Sequence, residues 1–121
     1  MGILGRRREE AAAAKREDAI ETQAWIAWVD GIENAMPSDG VLTVGVVEEL
    51  RAPPIRQRPS QVGRDLAYGT ARQFTSQLAA RRSREAILES GEAKAAGDLD
   101  SMNLHMLRSR YMQEISERLA L

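Results

Sequence analysis

AAAAKREDAIETQAWIAWVDGIENAM, residues 11–36, decides how the fold is read. At 100° per residue, Ile20, Ala24, Trp25, Ala27, Trp28, Val29, Ile32, Ala35 and Met36 fall within about half of a helical circumference. Thr22, Gln23, Asp30, Glu33 and Asn34 take most of the other half, with Glu21 and Ile26 out of place. That spacing predicts a long amphipathic helix over 11–36. The alanines favour helix, Gly31 marks an expected bend or close contact at a cost of about 1 kcal/mol relative to Ala, and Pro37 ends the run. Trp25 and Trp28 have two readings, core anchors or hot spots for a partner, and with Ile32 they form the first candidate partner-binding face.

Upstream, Gly2 to Gly5 reads as a flexible lead. Arg6, Arg7 and Arg8 sit poorly at a helix N-terminus, whose dipole favours anions, so residues 1–10 are expected to form a flexible basic arm. Downstream, Pro37-Ser38-Asp39-Gly40 is a turn. The β-branched run 41–47 fits either a short strand or, with Thr43 as cap, a short helix over 44–51. The helix is favoured because one strand would lack a partner unless another chain supplied it.

Pro53, Pro54 and Pro59 make 52–60 an extended linker around Arg56 and Arg58. Ser60 then caps a second long helix expected over 61–89, with Val62, Leu66, Thr70, Ala71, Phe74 and Leu78 as its stripe and Ser90-Gly91 as its end. Residues 92–97 read as a loop or one helical turn. Asp98 or Asp100 caps a third helix over 100–120, striped by Leu104, Leu107, Tyr111, Ile115 and Leu119. The expected architecture is mainly α: one small helical domain over 1–121, with two long helices and one of medium length.

The core of such a domain is thin. Leu, Ile, Val and Phe together number 25 of 121 residues, while Ala alone contributes 18. Ordering each residue costs about 1–2 kcal/mol, so a chain with so little bulky apolar surface points to completion by a second copy or another protein. Cysteine is absent, which excludes disulfides and thiolate chemistry. No apolar run approaches the roughly 18 residues of a membrane span, and no leader or acylation motif is recognisable. The expectation is a soluble, cytoplasmic protein or one built into a larger assembly.

A net charge of −1 conceals segregated blocks. Residues 17–49 carry eight acidic and no basic groups, 51–84 carry eight arginines against Asp65, and 85–100 carry five acids against Lys94. Blocks of opposite sign are expected to lie against each other, within one chain or between neighbours. Arg outnumbers Lys fifteen to two, and its planar fork suits carboxylates and phosphates alike. Arg56, Arg58, Arg64, Arg72, Arg81, Arg82 and Arg84 therefore complete the candidate partner-binding set.

The residues offer little to catalysis. His105 is the sole histidine, which excludes a multi-histidine metal site. Asp98 and Asp100 begin like a calcium loop, but Met102 holds the third ligand position. No glycine-rich loop leads to a lysine, and no cofactor, metal or small-molecule substrate is expected. Two functions follow. The first is a non-catalytic structural or adaptor subunit, acting through helix-mediated contacts with itself or other proteins in an assembly such as a virion. The alternative is a nucleic-acid-binding regulator that uses the Arg-rich segment 51–84, with 44–51 and the second long helix as a loose helix-turn-helix.

Overall fold

The computed structural model describes the backbone of residues 3–54 and 64–120, and side chains from residue 8 on, except at 11, 13–15, 17, 18 and 64–70. The described residues form four helices and no strand: α1 (Ile3–Asn34), α2 (Val44–Arg51), α3 (Arg64–Ala95) and α4 (Leu99–Ala120). The chain is mainly helical, as its periodicity predicts.

Helix α1 starts at Ile3 rather than near residue 11, so the segment read as a basic arm supplies its first turns. Arginine and glutamate are good helix formers, and only Gly5 interrupts them. Near the other end, a Cβ built on Gly31 meets no atom within 4 Å, so the close contact expected there is absent among the described residues.

Residues 37–43 turn the chain with their own hydrogen bonds. The Gly40 amide donates to the Pro37 carbonyl at 2.9 Å, and the Val41 amide donates to Asp39 Oδ1 at 3.0 Å. Gly40 has φ +68°, and a Cβ there would lie 3.2 Å from Leu107 of α4. Only glycine meets both demands without strain. The run 41–47 then resolves as loop and helix. Thr43 is extended, and its hydroxyl oxygen accepts the Val46 amide hydrogen at 3.2 Å, a side-chain cap for α2. Pro53, two residues after α2, is buried. The rest of the proline linker and the expected Ser60 cap lie outside the described residues.

Helices α3 and α4 form an antiparallel hairpin, the most extensive packing in the chain. The expected stop at Ser90-Gly91 does not occur, and α3 runs on to Ala95. The stop lies at Gly97, φ +76°, where the Gly97 amide donates to Lys94 O at 3.0 Å and the Asp98 amide to Ala93 O at 2.9 Å. These two bonds make a Schellman close. Asp98 at once caps α4, accepting from the Ser101 amide at 3.1 Å and the Ser101 hydroxyl at 2.8 Å. Both hydrogen bonds favour the carboxylate and hold Asp98 below its ordinary pKa.

A seam of small residues sets the hairpin register. Ser76 meets Ser116, with hydroxyls 3.2 Å apart and each donating to the other's backbone carbonyl at 2.8 Å. Seven residues on, Ser83 meets Ser109 at 3.0 Å, and after seven more the Ser90 hydroxyl donates to Met102 O at 3.2 Å. Ala79 and Ala86 fill the positions between and are fully buried. A seven-residue repeat is that of two supercoiling helices, and small side chains allow their backbones to come close.

Beside this hairpin, Val29 and Ile32 of α1, Leu50 of α2, Leu78 of α3 and Tyr111, Ile115 and Leu119 of α4 form the core. Leu104, expected in the same α4 stripe, is instead more than half exposed because it lies beyond the end of α1.

Candidate interaction surface

The aromatic candidates face inward. Trp25 is 7% exposed and packs with Ala71 and Phe74, its ring centroid 5.5 Å from that of Phe74 at a tilt of 51°. Trp28 is half-buried, and its indole nitrogen donates to Glu49 Oε1 at 2.6 Å, joining α1 to α2. Ile32 is in the core. All three are engaged within the chain.

The arginines separate into three groups. Arg56 and Arg58 lie outside the described residues, and Arg64 begins α3 with its side chain likewise outside. Arg72 and Arg82 are half-buried and structural. Arg72 donates to the Arg118 and Leu119 carbonyls at 3.0 and 3.2 Å and approaches the Leu50 carbonyl at 3.4 Å. One cation therefore serves the C-terminal ends of α4 and α2, where carbonyls lack intrahelical partners and the dipole favours positive charge. Arg82 pairs with Asp30 at 2.7 Å and Glu33 at 3.2 Å. Burial opposes its charge, but the two carboxylates outweigh that effect and raise its pKa. The acidic and Arg-rich blocks thus meet within one chain at Arg82.

Arg81 and Arg84 remain exposed. They border an open groove of about 320 Å³ lined also by Phe74, Gln77 and Leu78. Arg81 lies 4.0 Å from Glu85, one turn on, and both side chains are well exposed. Such a contact contributes little.

A second surface emerges where the hairpin outruns its neighbours. Helix α1 reaches α3 at Arg82, and the loop after it reaches α4 at Leu107. Past those contacts, residues 84–95 of α3 continue for roughly 16 Å at 1.5 Å per residue. Within that stretch only Ala86 and Ser90, both seam residues, are buried. Ile87, Leu88, Leu99, Leu104 and Met106 are all at least 50% exposed around this tip. Near its base Glu89 holds Arg108 and lies 3.1 Å from His105 Nδ1. Arg108 Nη2 lies 2.9 Å from the same ring nitrogen. That nitrogen can donate to Glu89 or accept from Arg108, not both at once.

The tip was not apparent from periodicity because Leu104, Ile87 and Leu88 resemble core stripe residues when each helix is read alone. The available signal was the spacing Ser76, Ser83, Ser90 with Ala79 and Ala86, which locates the seam and so places Ile87 and Leu88 off it.

Among the described residues no three His, Asp or Glu side chains group to hold a metal ion, and no helix is long and apolar enough to cross a membrane. Compared with known proteins, the chain matches no family model, no curated protein and no solved structure.

Proposed function

We propose that this chain is a non-catalytic structural or adaptor subunit that works through helix-mediated protein contacts in a larger assembly, and that the free end of the α3–α4 hairpin is its contact surface. The observation that carries this reading is the exposed ring of Ile87, Leu88, Leu99, Leu104 and Met106 on a part of the hairpin no other described element covers. Single exposed aliphatic residues are ordinary, but five around one projecting tip form a surface whose burial would stabilise a complex. The thin core is consistent with this, since α1 and α2 cover only one flank and one end of the hairpin. Arg72 and Arg82 are occupied by carbonyls and carboxylates of their own chain, which favours a protein partner over the nucleic-acid alternative.

The test is a photo-reactive amino acid placed at Leu104 and, separately, at exposed Gln73 on the shared shaft, in the full chain produced in its native cells. Protein adducts are expected at Leu104 and not at Gln73. Equal adducts, or none from Leu104, would remove the tip as the contact surface.

A further inference from the structure

Helix α2 is held in the fold as a ligand is held. It has eight residues, and a helix shorter than about 12–15 residues is marginal on its own in water, so α2 depends on its seat. The grip is confined to one end. From 35 to 54 only Leu50 and Pro53 are buried, while Val41 and Val44 are 61% and 76% exposed. Leu50 enters a cluster made by Val29 and Ile32 of α1 and Tyr111, Ile115 and Leu119 of α4, and Val46, one turn before it, is half-buried against the same cluster.

Two polar contacts orient the helix in that seat. Trp28 Nε1 of α1 donates to Glu49 Oε1 at 2.6 Å, and Arg72 of α3 reaches the Leu50 carbonyl at 3.4 Å beside the α4 carbonyls it also serves. The seat thus belongs to the other three helices, and the serine seam and the pairs of Arg82 with α1 join those three without α2. An apolar floor, one indole N–H donor and one guanidinium placed for a helix C-terminus specify an occupant. It carries aliphatic side chains four residues apart, a carboxylate just before the second of them, and a helix end beside that residue. Val46, Leu50, Glu49 and the end of α2 at Arg51 meet each requirement.

We infer that α2 is an internal strap over a helix-acceptor groove, and that a partner's helix of this pattern binds the chain by taking the place of α2. The site lies apart from the hairpin tip. Only the segment around α2 has to move, and the groove it leaves keeps its floor and both polar groups. The strap competes with the partner, so apparent affinity scales with the fraction of chains in which the groove is open.

Fluorescence anisotropy with a labelled peptide of residues 41–54 tests this on the full chain. Leu50→Asp, which unseats the strap, should bind the peptide at least about tenfold more tightly than the wild type, whose own α2 fills the groove. The same peptide carrying Leu50→Asp should bind neither chain. Equal binding of the unaltered peptide to both chains, or no binding to a Leu50→Asp chain that keeps its helical circular dichroism, would overturn the inference. Native-state hydrogen exchange on the wild type decides the matter if that variant unfolds. Amides from Val47 to Arg51 should exchange through a local opening at least about tenfold more often than those from Ile115 to Leu119. A single rate for both sets would show that α2 leaves only when the whole core opens, and the strap would be refuted.

Discussion

Tyr111 donates its hydroxyl hydrogen to the Ile32 carbonyl at 2.8 Å, a buried bond between residues 79 positions apart. Ile32 lies in the final turn of α1, where carbonyls have no helical partner, so one phenol closes a helix end and fixes α1 on the hairpin. Tyr111→Phe keeps the ring and leaves that carbonyl unpaired, a change expected to cost about 1–3 kcal/mol in urea unfolding.

The same buried phenol predicts an alkaline limit. Burial, and after it the Glu49 charge, raise the Tyr111 pKa above its ordinary value. The folded chain therefore holds this proton more tightly than the unfolded chain. Its contribution is complete below the unfolded tyrosine pKa of about 10 and is lost as pH rises through the raised folded value. Melting temperature should fall over that window in the wild type, and the step should shrink in Tyr111→Phe. An equal step in both would place its origin elsewhere.

Arg72 and Arg81 belong to one basic block nine residues apart, yet they should behave differently. Arg72→Ala removes hydrogen bonds to the ends of α2 and α4 and should cost about 1.5–3 kcal/mol, the range for bonds to a charged group. Arg81→Ala, on an exposed side chain, should stay within about 0.5 kcal/mol. Equal losses in chemical denaturation would refute the capping role assigned to Arg72.

What the sequence made legible follows from where its signals are local. Thr43 as a cap, Pro37 to Gly40 as a turn, and Tyr111, Ile115 and Leu119 as one buried stripe are each determined within a few residues, and all three are found. The end of α3 is not legible locally, because Ser90-Gly91 resembles a stop while the helix runs on to Ala95. The seam holds Ser90 against α4, and Gly97 supplies the positive φ instead. The Trp face and the arginine block could be read as outward-facing because spacing gives the face of a helix but not which neighbour covers it. Trp25 is covered by Ala71 and Phe74, and Arg72 reaches carbonyls 46 and 47 residues away, relationships that only the packed hairpin determines.

Two glycines should respond to alanine with opposite signs. Gly31 lies within α1 with open space around it, so Gly31→Ala should stabilise by roughly 1 kcal/mol through helix propensity. Gly40→Ala forces a side chain into left-handed backbone and against Leu107, and should destabilise by about 1–2 kcal/mol. The sign difference is read directly from the two unfolding midpoints.

The serine seam predicts an asymmetry between deletion and enlargement. Ser83 is 3% exposed and donates to the Ser109 carbonyl at 2.8 Å. Ser83→Ala removes that bond but keeps the backbones close, for a loss of about 0.5–1.5 kcal/mol. Ser83→Leu adds volume where two helices meet over Ser and Ala, and overpacking should cost about 1–3 kcal/mol or more. The seam also carries the tip, so Ser83→Leu should raise amide hydrogen exchange from Ala86 to Met106, where neither α1 nor α2 can compensate, while leaving the protection of Tyr111 to Leu119 nearer to wild type. Uniform loss of protection along α4 would show that the hairpin opens as one unit and that the tip has no separate stability.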